Sequence, residues 1–159
     1  MVELREIVPE NYEAILALHV SAEQCDFVSS AEKALAKAWV YRDTAFPFAV
    51  YVDAVPVGFI MLGYYAAKDQ YTVWEFFIDE KYQSRGYGRK ALMLGIDRLR
   101  ESFGVRDVYL GCKHENCAAK ALYESVGFQR TGAETDTGFE MRLLVDEKRI
   151  NKKPLFTEK

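Results

Sequence analysis

The stretch Gln83–Leu92, QSRGYGRKAL, sets two glycines one residue apart and an alanine three further on. That spacing, G-x-G-x-x-A, is the one expected where the phosphates of a dinucleotide rest on a glycine-rich turn and the N-terminus of a helix. Three structures suit such a turn: a dinucleotide-binding unit, a nucleoside triphosphate loop, or a plain strand-to-helix connection that needs glycine for its backbone alone. The neighbouring residues have to discriminate among them.

A dinucleotide unit asks for an acidic residue at the end of the next strand, about 20 positions beyond the glycines. Asp107 has nearly that offset but stands at the start of the strand DVYLGCK, whose C-terminal end offers no carboxylate. A triphosphate loop asks for G-K-[ST], and no such triplet follows Gly88, so nothing is provided to hold a triphosphate and its magnesium. The plain turn stays open, since a lone G-x-G is compatible with it.

Further out, the chain reads as one continuous unit. Val2–Ile7 alternates like a short strand; Pro9 then opens a helix with Tyr12, Ile15, Leu16 and His19 on one face, where His19 reads as a packed or capping residue rather than a ligand. Ser29 and Glu32 have capping-box spacing ahead of a second helix whose stripe is Ala31, Ala34, Leu35 and Ala38. FPFAVYVD, AVPVGFIMLGYY and YTVWEFFID are three aromatic and β-branched runs, the first two joined at Asp53-Ala54, and predict an antiparallel meander. After the glycine turn, Leu92, Ile96, Leu99 and Phe103 predict a long helix ending at Gly104, a crossover to a parallel strand DVYLGCK. Asn116 caps a further helix with Ala118, Ala121, Leu122 and Ser125 on one face and Gly127 as its stop, and GFEMRLLV closes as the last strand. The expected class is α+β, a mixed, mainly antiparallel sheet with about four helices, in the order β-α-α-β-β-β-α-β-α-β. One domain is expected over 1–149, followed by a polar tail over 150–159.

Composition narrows the partners. A chain of 159 residues that is 50% hydrophobic can build a core, and 21 basic against 24 acidic residues give a net charge of -3 with no long run of one sign. Neither a nucleic-acid nor a membrane surface is predicted. The longest apolar run, Val57–Ala67, falls short of the roughly 20 residues needed to cross a bilayer. The start, MVELREIV, lacks a signal-peptide pattern, so a cytoplasmic location is expected. Cys25, Cys112 and Cys117 form no C-x-x-C pair and only His19 and His114 could join them, which argues against a metal site and for reduced thiols.

QSRGYG also fits Q/R-x-x-G-x-G/A, and with FFIDEKYQ before it and ENCAAKALYESVGF after it the chain resembles the GNAT N-acetyltransferase superfamily over nearly its whole length. Within it, AILALHVSAEQCDFV, PVGFIMLGYY and WEFFIDEKYQSRGYGRKAL are most similar to bacterial spermine/spermidine N-acetyltransferases. The resemblance implies acetyl-CoA as co-substrate. Its pyrophosphate is then held by the backbone of Gln83, Ser84, Arg85, Gly86, Tyr87, Gly88 and Arg89, with side-chain help from Arg85, Arg89 and Lys90. Its pantetheine lies along Phe76, Phe77 and Ile78 like an added strand, and Asn116 belongs to the same binding surface. The implied reaction is direct attack of a neutral amine on the thioester through an oxyanion, with a backbone N–H near Phe77 as its donor. Tyr123 matches the tyrosine that protonates the leaving sulfur, and packing as an interfacial core residue is its alternative.

Glu75 aligns with one of two adjacent acidic residues carried there by polyamine acetyltransferases, as general base through water and as an attraction for the cationic amine. The other position is Trp74, a departure. Glu23 and Asp26, together with Tyr64 and Tyr65, are expected to line the acceptor cleft, since carboxylates and aromatic faces suit a polyamine. His114 and Cys117 could pass for a nucleophile pair, although direct transfer makes one unnecessary. The function expected is acetylation of a primary amine, most naturally spermine or spermidine; the alternatives are a protein N-terminus, a lysine, an aminoglycoside, or a CoA-binding module without catalysis. Members of the family commonly pair as homodimers, and the same is expected here.

Overall fold

The computed structural model describes residues 1–145, so the expected tail over 150–159 and the last few residues of the expected domain lie outside the described residues. Strands β1 (Val2–Arg5), β2 (Ala45–Val52), β3 (Val55–Tyr65) and β4 (Gln70–Ile78) form the antiparallel meander, with Asp53 in the left-handed region at φ 56° in the first tight turn. The near-continuous apolar runs of β2, β3 and β4 have a simple cause: both faces are covered, whereas β1 alternates. On one face Val57, Ile60, Leu62 and Val73 join the larger core; on the other Ala49, Phe59, Met61 and Phe77 join the smaller one.

Helix α3 (Tyr87–Phe103) covers the first face through Leu92, Ile96 and Leu99, and comes close because Gly95 faces β3, where a Cβ would lie 2.9 Å from Ile60 Cδ1. Helix α2 (Ala31–Val40) covers the second face with Ala31, Ala34 and Ala38, side chains small enough to let it sit low on the sheet. Strand β5 (Asp107–Lys113) follows parallel to β4, then come helix α4 (Cys117–Val126) and the hairpin β6 (Gln129–Glu134) and β7 (Gly138–Leu144). The sheet has seven strands in the order β1-β2-β3-β4-β5-β7-β6.

Four details differ from the sequence reading. Helix α1 spans only Tyr12–Leu16, and as the chain leaves the helix there, the buried residues are Ile15 and Leu18 while His19 is exposed. Ser30, not Ser29, caps α2, accepting from Lys33 N–H at 3.4 Å. Helix α4 turns Ala119, Leu122, Tyr123 and Val126 inward instead of Ala118, Ala121 and Ser125: an alanine-rich helix gives little sense of direction, and the bulky residues take the core. Strand β6 was not expected at all. Its six residues are exposed, it has no alternation, and its register with β7 breaks around Gly132 (φ 94°), so it exists through pairing alone.

Candidate active site

Strands β4 and β5 pair at only two positions, Thr72 with Tyr109 and Val73 with Leu110, and then part. A bulge on β4 at Trp74, between the pairs Leu62–Val73 and Met61–Glu75, helps to turn it away. The amide of Asp79 donates to Val57 O at 2.9 Å, which fixes the ladder's alternation: Glu75 and Phe77 turn their main chain to β3, and Phe76 and Ile78 turn theirs into the gap. The main-chain groups that face the gap thus belong to Phe76 and Ile78, the Ile78 carbonyl being taken by the Gln83 side chain. Near Phe77, where an oxyanion donor is expected, the amides that face the gap are those of Phe76 and Ile78, while the amide of Phe77 itself faces β3.

The glycine turn closes one end of the gap. Ser84 (φ 60°) and Gly86 (φ 78°) are both left-handed, and the main-chain amides from Ser84 to Arg89 have no acceptor among the described residues; the first to find one is Lys90, bonded to Gly86 O at 3.3 Å. A concave row of free N–H groups at the N-terminus of a 17-residue helix is an anion seat. A Cβ at Gly86 would meet nothing, so glycine is required there by its φ alone. Gln83 serves from beneath: its amide donates to Ile78 O at 2.8 Å and to Gln24 Oε1 at 2.9 Å, and accepts from Gln24 Nε2 at 3.2 Å. Its side chain is therefore engaged inside the protein, fastening the loop to β4 and to the segment before α2.

The gap opens into a cleft of about 970 Å³, lined by Phe76, Phe77, Ile78, Ser84, Gly86, Gly88 and Arg89, and further along by Glu75, Asn116 and Tyr123. Arg85 and Tyr87 are not in the lining; the Arg85 guanidinium lies on Lys81 O at 3.0 Å, and that of Arg89 reaches Ser125 O at 3.4 Å. Asn116 caps α4 by accepting from Ala119 N–H at 3.2 Å. Tyr123, 8% exposed, packs edge-on against Phe128 beneath the cleft. Burial, with a smaller effect from the Cys112 thiol, raises its phenol far above the ordinary 10.0, so at neutral pH it is held as a proton donor.

Glu75 is a built feature, not a surface residue. Its carboxylate accepts from Ser29 Oγ at 3.2 Å and Ser29 N–H at 3.4 Å, and Lys37 Nζ stands 3.6 Å away. The serine read as a helix cap is thus a carboxylate ligand. The rest of the expected acceptor wall is rearranged. Glu23 and Asp26 are exposed and outside the lining, where Val20, Gln24, Phe27 and Val28 stand instead: the short helical turn at Ala22–Gln24 leaves Ala22 and Glu23 exposed and turns Gln24 inward to Gln83. Tyr64 faces away, bonded to Asp69 at 2.8 Å and packed on Tyr71, and Tyr65 lines the cleft. His114 is held at Thr135 O, 3.0 Å, and against Phe139, turned toward the β6–β7 hairpin. Sequence reasoning missed Glu134 and Glu140, both in the lining, since no pattern marks a carboxylate on an unrecognised hairpin.

Residues 4–128 match the profile of the acetyltransferase (GNAT) family. The chain belongs to that family. It is 34% identical over 139 residues to a Bacillus subtilis (strain 168) spermine/spermidine N(1)-acetyltransferase, covering 82% of this chain and 90% of that one. A shorter match, 48% over 63 residues and 40% of the chain, is to the N-alpha-acetyltransferase RimI of Mycobacterium tuberculosis (strain ATCC 25618 / H37Rv). Among solved structures, spermidine N-acetyltransferase from Vibrio cholerae in complex with CoA and spermine superposes with a TM-score of 0.73 at 17% identity, over 90% of this chain and 95% of that one. PaiA N-acetyltransferase from Thermoplasma acidophilum in complex with coenzyme A gives 0.69 at 18%, over 91% and 99%. The fold and the N-acetyltransferase class follow: a parted β4–β5 pair, a glycine turn at its mouth and a tyrosine below it.

Proposed function

We propose that the protein transfers an acetyl group from acetyl-CoA directly to a primary amine of a polyamine such as spermine or spermidine. The carrying observation is the placement of the paired carboxylate Glu75 and the buried phenol Tyr123 in one cleft, at the mouth of the β4–β5 gap. The residues present fit the co-substrate. The free amides of Ser84–Arg89 suit a pyrophosphate, and the main chain of Phe76 and Ile78 offers a strand edge to an amide-bearing arm. Bound there, acetyl-CoA supplies an activated thioester.

The chain's own residues do the rest. Glu75 attracts the ammonium and receives its proton, directly or through water, leaving the amine free to attack. Ser29 keeps the carboxylate aimed, and Trp74, beside it on the bulge, offers an apolar face to methylenes. Tyr123, protonated at working pH, is the donor to a departing sulfur. The match to the Bacillus subtilis relative over most of the chain favours a polyamine, and the shorter 48% match favours an α-amino group as second reading.

A thiol-release assay with acetyl-CoA and a panel of spermine, spermidine, putrescine, lysine and an N-terminal alanine peptide separates the two. Polyamine turnover well above that of the peptide is expected, with products identified by mass. Turnover of the peptide alone transfers the protein to the second reading, and acetyl-CoA binding without turnover of any amine removes both.

A further inference from the structure

We propose that Glu140 is the second anchor of the acceptor site, taking the distal ammonium of a di- or polyamine whose reacting end lies at Glu75, and that Lys68 occupies it until the amine arrives. The inference rests on the polyamine reading above and adds the residue that tells a diamine from a monoamine.

The faces of the sheet place the two carboxylates together. On β7, Phe139 and Met141 enter the larger core, so Glu140 between them stands on the opposite face. On β5, Leu110 and Cys112 enter the same core, and Gly111 stands on the opposite face as the direct partner of Glu140. Glu75 lies on that face too, against Ser29 and Lys37. Three neighbouring strands thus present Glu75, Gly111 and Glu140 in sequence on one side. A Cβ on Gly111 would meet nothing within 4 Å, so the middle of this row is an open trough. Two ladder spacings would make the trough about 10 Å across, and the parting of β4 from β5 beyond Val73 widens it, a span suited to the two terminal ammonium groups of an aliphatic polyamine once each sits a hydrogen bond inside its carboxylate.

The ion pairs show what these carboxylates accept. Lys37 Nζ stands 3.6 Å from Glu75, and Lys68 Nζ stands 3.3 Å from Glu140. A lysine tip is a primary alkylammonium, the same headgroup as a polyamine terminus. Both lysine side chains are open to solvent, at 42% and 51% exposure, whereas the carboxylates are at 14% and 21%. Such a lysine can swing out and hydrate, leaving a fixed carboxylate behind. Glu140 does not depend on Lys68 for its position, because Thr131 Oγ donates to its other oxygen at 3.0 Å. Glu134, in the same lining, is the poorer anchor: it is 55% exposed and already bound to the Arg130 guanidinium at 2.6 Å.

The exchange is neutral in charge. A dication entering the trough replaces two ammonium groups with two ammonium groups, so the carboxylates are never left bare. A monoamine displaces Lys37 only and leaves the Lys68–Glu140 pair intact, gaining nothing from it.

Steady-state kinetics with spermidine and with butylamine, at saturating acetyl-CoA, on the wild type, Glu140→Gln, Lys68→Met and Gly111→Val provide the test, with calorimetric acetyl-CoA binding as the control for folding. Glu140→Gln is expected to raise the spermidine KM about tenfold with kcat kept, the loss of one charge-assisted contact made equally in ground and transition states. Lys68→Met should lower that KM, since it removes the internal competitor. Gly111→Val, which has room to fold, should bind acetyl-CoA and lose spermidine. An unchanged KM in Glu140→Gln, a raised KM in Lys68→Met, or equal wild-type kcat/KM for butylamine and spermidine overturns the inference alone. Failure of the wild type to acetylate any di- or polyamine overturns the polyamine reading, and this inference with it.

Discussion

In the role proposed for it, Tyr123 combines two demands that ordinarily conflict, since a core residue is packed and a proton donor must reach its acceptor. Its ring fills space against Phe128 while the residue still borders the cleft. Tyr123→Phe keeps the ring and removes the proton, so kcat should fall roughly 100-fold with acetyl-CoA affinity nearly unchanged, as read by steady-state kinetics beside calorimetry. The raised phenol pKa also bears on stability. The folded protein keeps the proton at pH values where the unfolded chain releases it near 10.0, so the folded state gains stability from Tyr123 below that value and loses it as pH rises above it. Melting temperatures of the wild type should therefore fall faster between about pH 9 and about pH 11 than those of Tyr123→Phe. Parallel curves would mean that the phenol ionises as easily in the fold as outside it. Glu75→Gln tests a different role: it keeps the Ser29 contacts in shape, removes the charge, and should depress kcat/KM for the polyamine by at least about tenfold while acetyl-CoA binding stays. Equal kinetics would leave Glu75 as a partner for Lys37 and nothing more.

At the scale of elements, the ends of α4 and the stop of α3 at Gly104 are where sequence and structure agree best. Asn116 and Gly127 were both legible because their backbone demands are strict: a side-chain acceptor for the first free amides, and a left-handed φ of 113° at the stop. Asn116→Ala should cost about 1 kcal/mol of stability in urea unfolding, and Asn116→Asp should recover most of it. Should the alanine variant be as stable as the wild type, the Ala119 amide has found water as good a partner. Periodicity was legible where the pattern was long, as in α3, and misleading where it was short. The face expected of α1 ran on through His19 because the residue spacing allowed it, and nothing local signals that the helix stops after Leu16. Ser29 and Ser30 offer a cap equally well, and only the tertiary position of Glu75 decides which serine is used for which purpose. The β6 strand left no local mark, and with it Glu134 and Glu140 went unseen. One wall of the cleft is assembled from such elements, which is why the glycine turn and Tyr123 border the cleft as expected while Glu23, Asp26 and Tyr64 lie outside its lining.

For the molecule as a whole, the decisive feature is a sheet of seven strands whose middle is held by two pairings. Strands β1–β4 lie on one side of that seam and β5, β7 and β6 on the other. Element order, apart from β6, and the parallel crossover could be read from the chain, because they follow from run length, β-branching and the need for a helix between parallel strands. The parting of β4 and β5 could not, since the bulge at Trp74 that accompanies it is not announced by the sequence. Such a seam is also a mechanical hinge. Two leaves joined by so few rungs should breathe as semi-independent cooperative units, and a co-substrate lying in the seam becomes the stitching that makes them melt as one. Hydrogen exchange should show it: acetyl-CoA is expected to slow the amides of residues 141–144 on β7, outside the cleft lining, nearly as much as those of β4, and protection confined to the residues that line the cleft would mean that the leaves are already one body.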